Sequence, residues 1–214
     1  MSSPDHTQRF MQAQLVASTL DEETARAEVY GLLAALFYAA PSTNLYDRLR
    51  IAVTEAPAAG ALLEGSWGEL VASAREHSLA DIHREYDALF GGVSKPEVYL
   101  FGSYYLSGFL NEKPLAALRA DLAALGLARD EAMSETEDHA AYLCEVMRYL
   151  IAGDDVEVAN LTRQREFFAQ HVQSWFPMMC AAVMQHPKAR FYRAVAVFTQ
   201  AFASVETQGF DMLD

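Results

Sequence analysis

The stretch SETEDHAAYLCEVMRYL, residues 134–150, decides the fold. His139, Leu143, Val146, Met147 and Leu150 recur at helical spacing and make one apolar stripe. Ser134 and Glu137 have the S-x-x-E spacing of a capping box, in which each side chain takes the other residue's free backbone N–H. Glu135, Glu137 and Asp138 suit the positive end of a helix dipole. The pattern predicts a helix over 134–150 that stops at Gly153-Asp154-Asp155. It places Asp138 and His139 in the first turns. An imidazole on the apolar stripe is either a hydrogen-bonded core group or part of a site.

The same periodicity extends on both sides. Ala25, Val29, Leu32, Leu33, Leu36 and Phe37 predict a helix over 24–39. Pro41 and Ser42 end it and cap the next, over 43–54. Helices are predicted over 58–75 and 78–90, the latter with Ile82, Tyr86, Leu89 and Phe90 on one face. The segment 91–114, GGVSKPEVYLFGSYYLSGFLNEKP, has glycines, prolines and an aromatic cluster, and is read as a long irregular loop. A helix over 112–125 ends at Gly126. Residues 156–185 read as helical with a break or kink at Pro177, and Pro187 opens a last helix to about 205. No repeat interrupts this order. The expectation is all-α: a single helical domain, 1–214, of eight or nine helices, with halves 1–90 and 112–214 joined by the loop 91–111.

Composition narrows the function. The chain has 214 residues, 52% hydrophobic and 21% charged, enough for a sizeable core. Its apolar runs fall short of the ~18–20 residues of a membrane helix. The start, MSSPDHTQRF, lacks the pattern of a secretory signal, so a cytoplasmic location is expected. Cys144 and Cys180 sit in apolar patterns and are read as buried, reduced thiols. The net charge of −13 repels nucleic acid and anionic lipid and favours a cationic partner.

Catalytic motifs are missing. Helical di-metal sites use Glu-x-x-His pairs, and none occurs; nor does HExxH. Glu135 with His139, and His83 with Asp87, have the spacing of half a site at most. There is no G-x-S-x-G, and GGVSKP has the wrong spacing for a phosphate loop. No cofactor, metal or enzymatic activity is expected. What remains is an acidic helical protein with aromatics in irregular sequence: Trp67, Phe101, Tyr104, Tyr105 and Phe109. An aromatic groove with an acidic rim suits a peptide with arginines beside an apolar stretch, the pattern of a twin-arginine export signal.

Four stretches carry a family resemblance: EYDALF (85–90), EVYLFGSYY (97–105), ETEDHAAYLCEVM (135–147) and QREFFAQHVQSWFP (164–177). In this order they resemble the TorD/DmsD family of cytoplasmic chaperones for molybdenum enzymes. The third is similar to the family's E-P-x-D-H followed by E-x-M, and the fourth to its Q-x-x-F-x-x-H-x-x-x-W-x-P. Thr136 stands where the family usually has proline, which implies a looser approach to the Asp-His pair.

The resemblance implies a non-enzymatic, all-α protein. It would bind the twin-arginine leader and apo form of a molybdopterin-dependent oxidoreductase, assist cofactor insertion and delay export. Asp138 and His139 match the family's leader-binding pair, Asp138 to meet an arginine and His139 to fix the pocket wall. Tyr104, Tyr105, Glu97, Trp67 and Tyr86 are the further candidates for the groove. Ser134, Glu137, Glu145, His171 and Trp175 are expected to hold the hinge. Clients consistent with the resemblance include formate dehydrogenase and the dimethyl sulfoxide and trimethylamine N-oxide reductases. Either a monomer or a domain-swapped dimer fits it.

Rival readings are a NarJ-like assembly chaperone for a non-exported molybdoenzyme, a structural subunit of a larger complex, and a small helical metalloenzyme using His139, His171 and Glu145.

Overall fold

The computed structural model of the chain describes residues 5–54, 61–91, 95–130 and 134–212, with the backbone alone for 5–21 and 61. The described residues form ten helices and no strand, so the chain is all-α. In order they are α1 (Asp5–Tyr38), α2 (Thr43–Ile51), α3 (Ala61–Glu76), α4 (Leu79–Leu89), α5 (Gly102–Ser107), α6 (Lys113–Ala124), α7 (Ala140–Ala152), α8 (Leu161–His171), α9 (Phe176–Gln185) and α10 (Phe191–Asp211).

The opening stretch supplies the central helix. Ala140, Ala141, Tyr142, Leu143, Cys144, Met147, Leu150 and Ile151 are all buried, on more than one face of α7. A helix so covered belongs inside a bundle. It lies along α1 and against α8, while α10 packs on α3 and α9. One apolar cluster joins these helices. Within it, Arg26 grips Glu206 with two hydrogen bonds, Nε–Oε1 at 2.7 Å and Nη2–Oε2 at 2.8 Å. Tyr30 Oη donates to Glu206 at 3.0 Å, and Arg26 also donates to Gln164 at 3.1 Å. Buried polar groups thus find partners across α1, α8 and α10.

Several boundaries differ from the sequence reading. The helix α7 begins at Ala140, not Ser134, and the capping box does not form. Ser134 Oγ donates to Glu135 at 3.2 Å, and Glu137 pairs with Arg119 at 2.8 Å. The cause is a crossing of two chain segments. Gly102 N donates to Asp138 O at 2.9 Å and Ala140 N to Leu100 O at 2.8 Å, an antiparallel bridge between Phe101 and His139. That bridge holds His139 extended (φ −68°, ψ 136°), so the helix starts after it.

The segment 91–114 is also not one irregular loop. Residues 92–94 lie outside the described residues. Beyond them, Val98 and Leu100 are core residues, and α5 occupies Gly102–Ser107. This segment is packed, with α5 against α6 and α9. The first predicted helix continues back to Asp5, while residues 58–60 of the third lie outside the described residues. The run 156–185 is broken, one of the two outcomes expected at Pro177, which sits in the first turn of α9, where a residue needs no N–H partner within the helix. The final helix begins at Phe191, later than Pro187, because Glu85 accepts from the N–H groups of Arg190 (2.8 Å), Phe191 (3.0 Å) and Tyr192 (2.8 Å). This carboxylate on α4 sets the start of α10.

Candidate functional site

The short helix α5 presents Gly102 at the point of closest approach to Trp175. A Cβ built on Gly102 would lie 3.0 Å from the indole Nε1 and 3.1 Å from Cε2. Trp175 is buried, its Nε1 donates to His171 O at 2.7 Å, and its ring stacks on Tyr105 at 5.7 Å. The His-to-Trp stretch therefore bends at the end of α8, turning the indole beneath α5.

Asp138 holds the other side of that helix. Its Oδ2 accepts from Ser103 N at 2.8 Å, and its Oδ1 accepts from the Thr136 hydroxyl at 2.7 Å. A carboxylate thirty-five positions along the chain thus satisfies an N–H that α5 leaves free in its first turn. Thr136, expected to loosen this approach, ties it with a bond proline cannot make.

Between α5, α6, α7 and the end of α8 lies a cavity of about 290 Å³. Gly102, Ser103, Leu118, Asp138, Leu143 and Trp175 form its buried floor. Leu106, Ala117 and Gln170 are exposed at its rim, with Asp121 and His171 between floor and rim. His171 Nε2 meets Asp121 Oδ2 at 2.7 Å. A carboxylate only accepts, so Nε2 carries the proton. A smaller hollow of about 110 Å³ adjoins, sharing Asp121, Gln170 and His171. Apolar walls (Leu118, Leu143, Trp175) with the Asp121 carboxylate nearer the mouth suit an aliphatic side chain followed by a cation.

His139 faces away from the cavity. Its Nδ1 accepts from Ala141 N at 3.2 Å, capping α7. Its ring meets Phe101 and Tyr142. Burial lowers its pKa from 6.5 to about 4, with the Asp138 charge opposing only in part, so the ring is neutral at pH 7.

The other predicted residues are scattered. Tyr105 backs Trp175, and Tyr104 stacks on Tyr99 at 4.1 Å; neither lines the cavity. Tyr86 donates to the carbonyls of Phe37 (3.1 Å) and Tyr38 (2.8 Å), closing the end of α1. Trp67 donates to Val53 O at 2.8 Å and packs on Phe198. Glu97 is exposed and pairs with Lys188 at 3.1 Å and His186 at 3.6 Å. Glu137 is held by Arg119 and Arg129, which outweigh its burial and keep its carboxyl below the ordinary value.

The metalloenzyme reading does not assemble. Glu145 is exposed and pairs with Arg148 at 3.1 Å, while His139 and His171 serve the separate partners given above. Among the described residues no three His, Cys, Asp or Glu side chains gather as metal ligands. Cys144 and Cys180 are buried free thiols, and burial pushes the Cys180 pKa up to about 12.

Sequence reasoning missed Asp121 and Glu85. Each is an acid set among apolar residues at helical spacing: Leu115, Leu118 and Leu122 around Asp121, and Ile82 and Leu89 around Glu85. An acid on an apolar stripe is the available signal.

Comparison with known proteins follows the same stretches. The profile of the nitrate reductase delta subunit family matches residues 56–181. The chaperone protein TorD of Vibrio cholerae is 25% identical over 204 residues, covering 88% of this chain and 93% of that protein. A chaperone protein TorD of Vibrio parahaemolyticus is 24% identical over 141 residues, 62% of this chain and 66% of that one. The Aliivibrio fischeri protein of the same name is 25% identical over 142 residues, 63% and 66%. Among the described residues no helix is long and apolar enough to cross a membrane.

Proposed function

The chain belongs to the nitrate reductase delta subunit family, and we propose that it is a cytoplasmic maturation chaperone for a molybdopterin-dependent oxidoreductase. In this reading it is a binding protein, not an enzyme, as the name shared by its relatives suggests. It holds the twin-arginine leader and the apo form of its client, assists cofactor insertion and delays export. One observation carries the proposal. The Asp-His stretch and the His-to-Trp stretch, far apart in sequence, supply walls of the same apolar cavity through Asp138, His171 and Trp175. Its size supports the reading, since about 290 Å³ is nearly twice the ~150 Å³ that accepts a benzene ring. The net charge of −13 supports a cationic ligand.

Asp138 acts by position in this proposal. It ties α5 to the start of α7 and so shapes the floor on which the leader's apolar residues rest. His139 keeps the start of α7 in register. The test is calorimetric titration with a panel of synthetic twin-arginine leaders, each beside its twin-lysine version. Lysine keeps the charge but loses the planar fork. Saturable binding to one leader with preference for arginine is expected. A folded protein that binds none refutes the function.

The description of the matching family favours one alternative, an assembly chaperone of a non-exported nitrate reductase type of enzyme. Binding to the untagged catalytic subunit without its leader, and to no leader alone, distinguishes it.

A further inference from the structure

We infer that Asp121 is the carboxylate that receives the leader's arginine; this rests on the leader-binding function proposed above. A guanidinium must reach its partner from the mouth of the cavity, so the receiving acid has to be accessible. Asp138 is 3% exposed, and both of its oxygens already accept hydrogen bonds from Ser103 N and the Thr136 hydroxyl. Glu137, beside it, is held by two arginines at 2.8 and 3.8 Å. Glu166, which lines the adjoining hollow, pairs with Arg163 at 3.3 Å.

Asp121 is accessible where Asp138 and Glu137 are not, and unlike Glu166 it lines both hollows. Its side chain is 46% exposed, and its partner, His171, approaches one oxygen, Oδ2. The contact with His171 Nε2 at 2.7 Å orients that carboxylate. Asp121 also lines both hollows, so a segment passing from one to the other crosses it. An apolar residue of the leader fills the larger hollow against Leu118, Leu143 and Trp175. The adjacent guanidinium then lies on Asp121, where the apolar walls limit competing water and the two N–H groups of the fork reach the carboxylate. An ammonium in the same place makes one contact and loses more hydration. Asp121 is thereby the residue that sets the preference for arginine over lysine.

The experiment uses the full chain and the leader chosen from the panel, in arginine and lysine versions, against wild type, Asp121→Asn and Asp138→Asn. Asp121→Asn, close in shape, is expected to lose at least about tenfold in affinity for the arginine leader. It is also expected to bind both versions within about twofold, with its thermal midpoint close to wild type. Asp138→Asn is expected to lower the midpoint and, at a temperature where it is folded, to keep the wild-type arginine-to-lysine ratio. A wild-type ratio retained by Asp121→Asn overturns this assignment alone. Failure of the wild-type chain to bind any leader overturns the function and this inference with it.

Discussion

Replacing His139 by asparagine should remove one defined component of the protein's acid sensitivity. The folded chain holds the imidazole at a pKa of about 4, against 6.5 in the unfolded chain, because it is buried beside Phe101 and Tyr142. The sign follows from proton counting: between those values the unfolded state binds the proton and the folded state resists it. Stability contributed at neutral pH is lost as pH falls through 6.5 toward 4. At ~1.36 kcal/mol per unit of pKa difference, the full loss is about 3 kcal/mol, of which about 2 has occurred by about pH 5. Asparagine is a good N-cap and keeps an acceptor for the start of α7, but it does not titrate. The assay is urea unfolding of both proteins at a series of pH values from about 7.5 to about 4.5. The difference in unfolding free energy between them should be constant above about pH 7 and shrink by about 2 kcal/mol at about pH 5. Parallel curves over the whole range would show that His139 is not buried as a neutral ring, and would refute the reasoning.

Two further outcomes follow from the packing. Glu85→Ala strands three backbone donors at the start of α10, two of them buried, and should cost about 3 kcal/mol, read as a fall of roughly 6–12 °C in Tm. Gly102→Ala pushes a methyl group to about 3 Å from the Trp175 indole, should cost ~1–3 kcal/mol, and should shift the near-UV signal of the tryptophan and weaken leader binding.

The helices were legible because their apolar residues recur at helical spacing, as in α4 and α7. Their ends were less so. The capping box at Ser134 and Glu137 is a sound local signal, but Glu137 is claimed by Arg119 and the chain is held extended by Leu100 and Gly102. Those partners are remote in sequence, and no local pattern announces them. Similarly, the start of α10 depends on Glu85, over a hundred positions earlier. The resemblance pointed to Asp138 and His139 for the leader and to His171 and Trp175 for the hinge; the fold brings Asp138, His171 and Trp175 to one cavity, and His139 does not line it. The resemblance also pointed to aromatic residues that packing uses elsewhere. Trp67 and Tyr86 have polar tips that close helix ends, a use that composition cannot separate from a place in a groove. Asp121 was overlooked because its partner, His171, lies fifty positions away and no local pattern joins the two.

The bond between Asp138 and Ser103 has a consequence for synthesis. Chains emerge from the ribosome N-terminus first. The segment that forms α5 is made early, yet the carboxylate that completes its first turn comes thirty-five residues later, and the indole beneath it later still. A nascent chain that has not yet exposed Trp175 lacks a wall of the cavity. The cavity is therefore completed only late in translation, after residue 175 has left the ribosome.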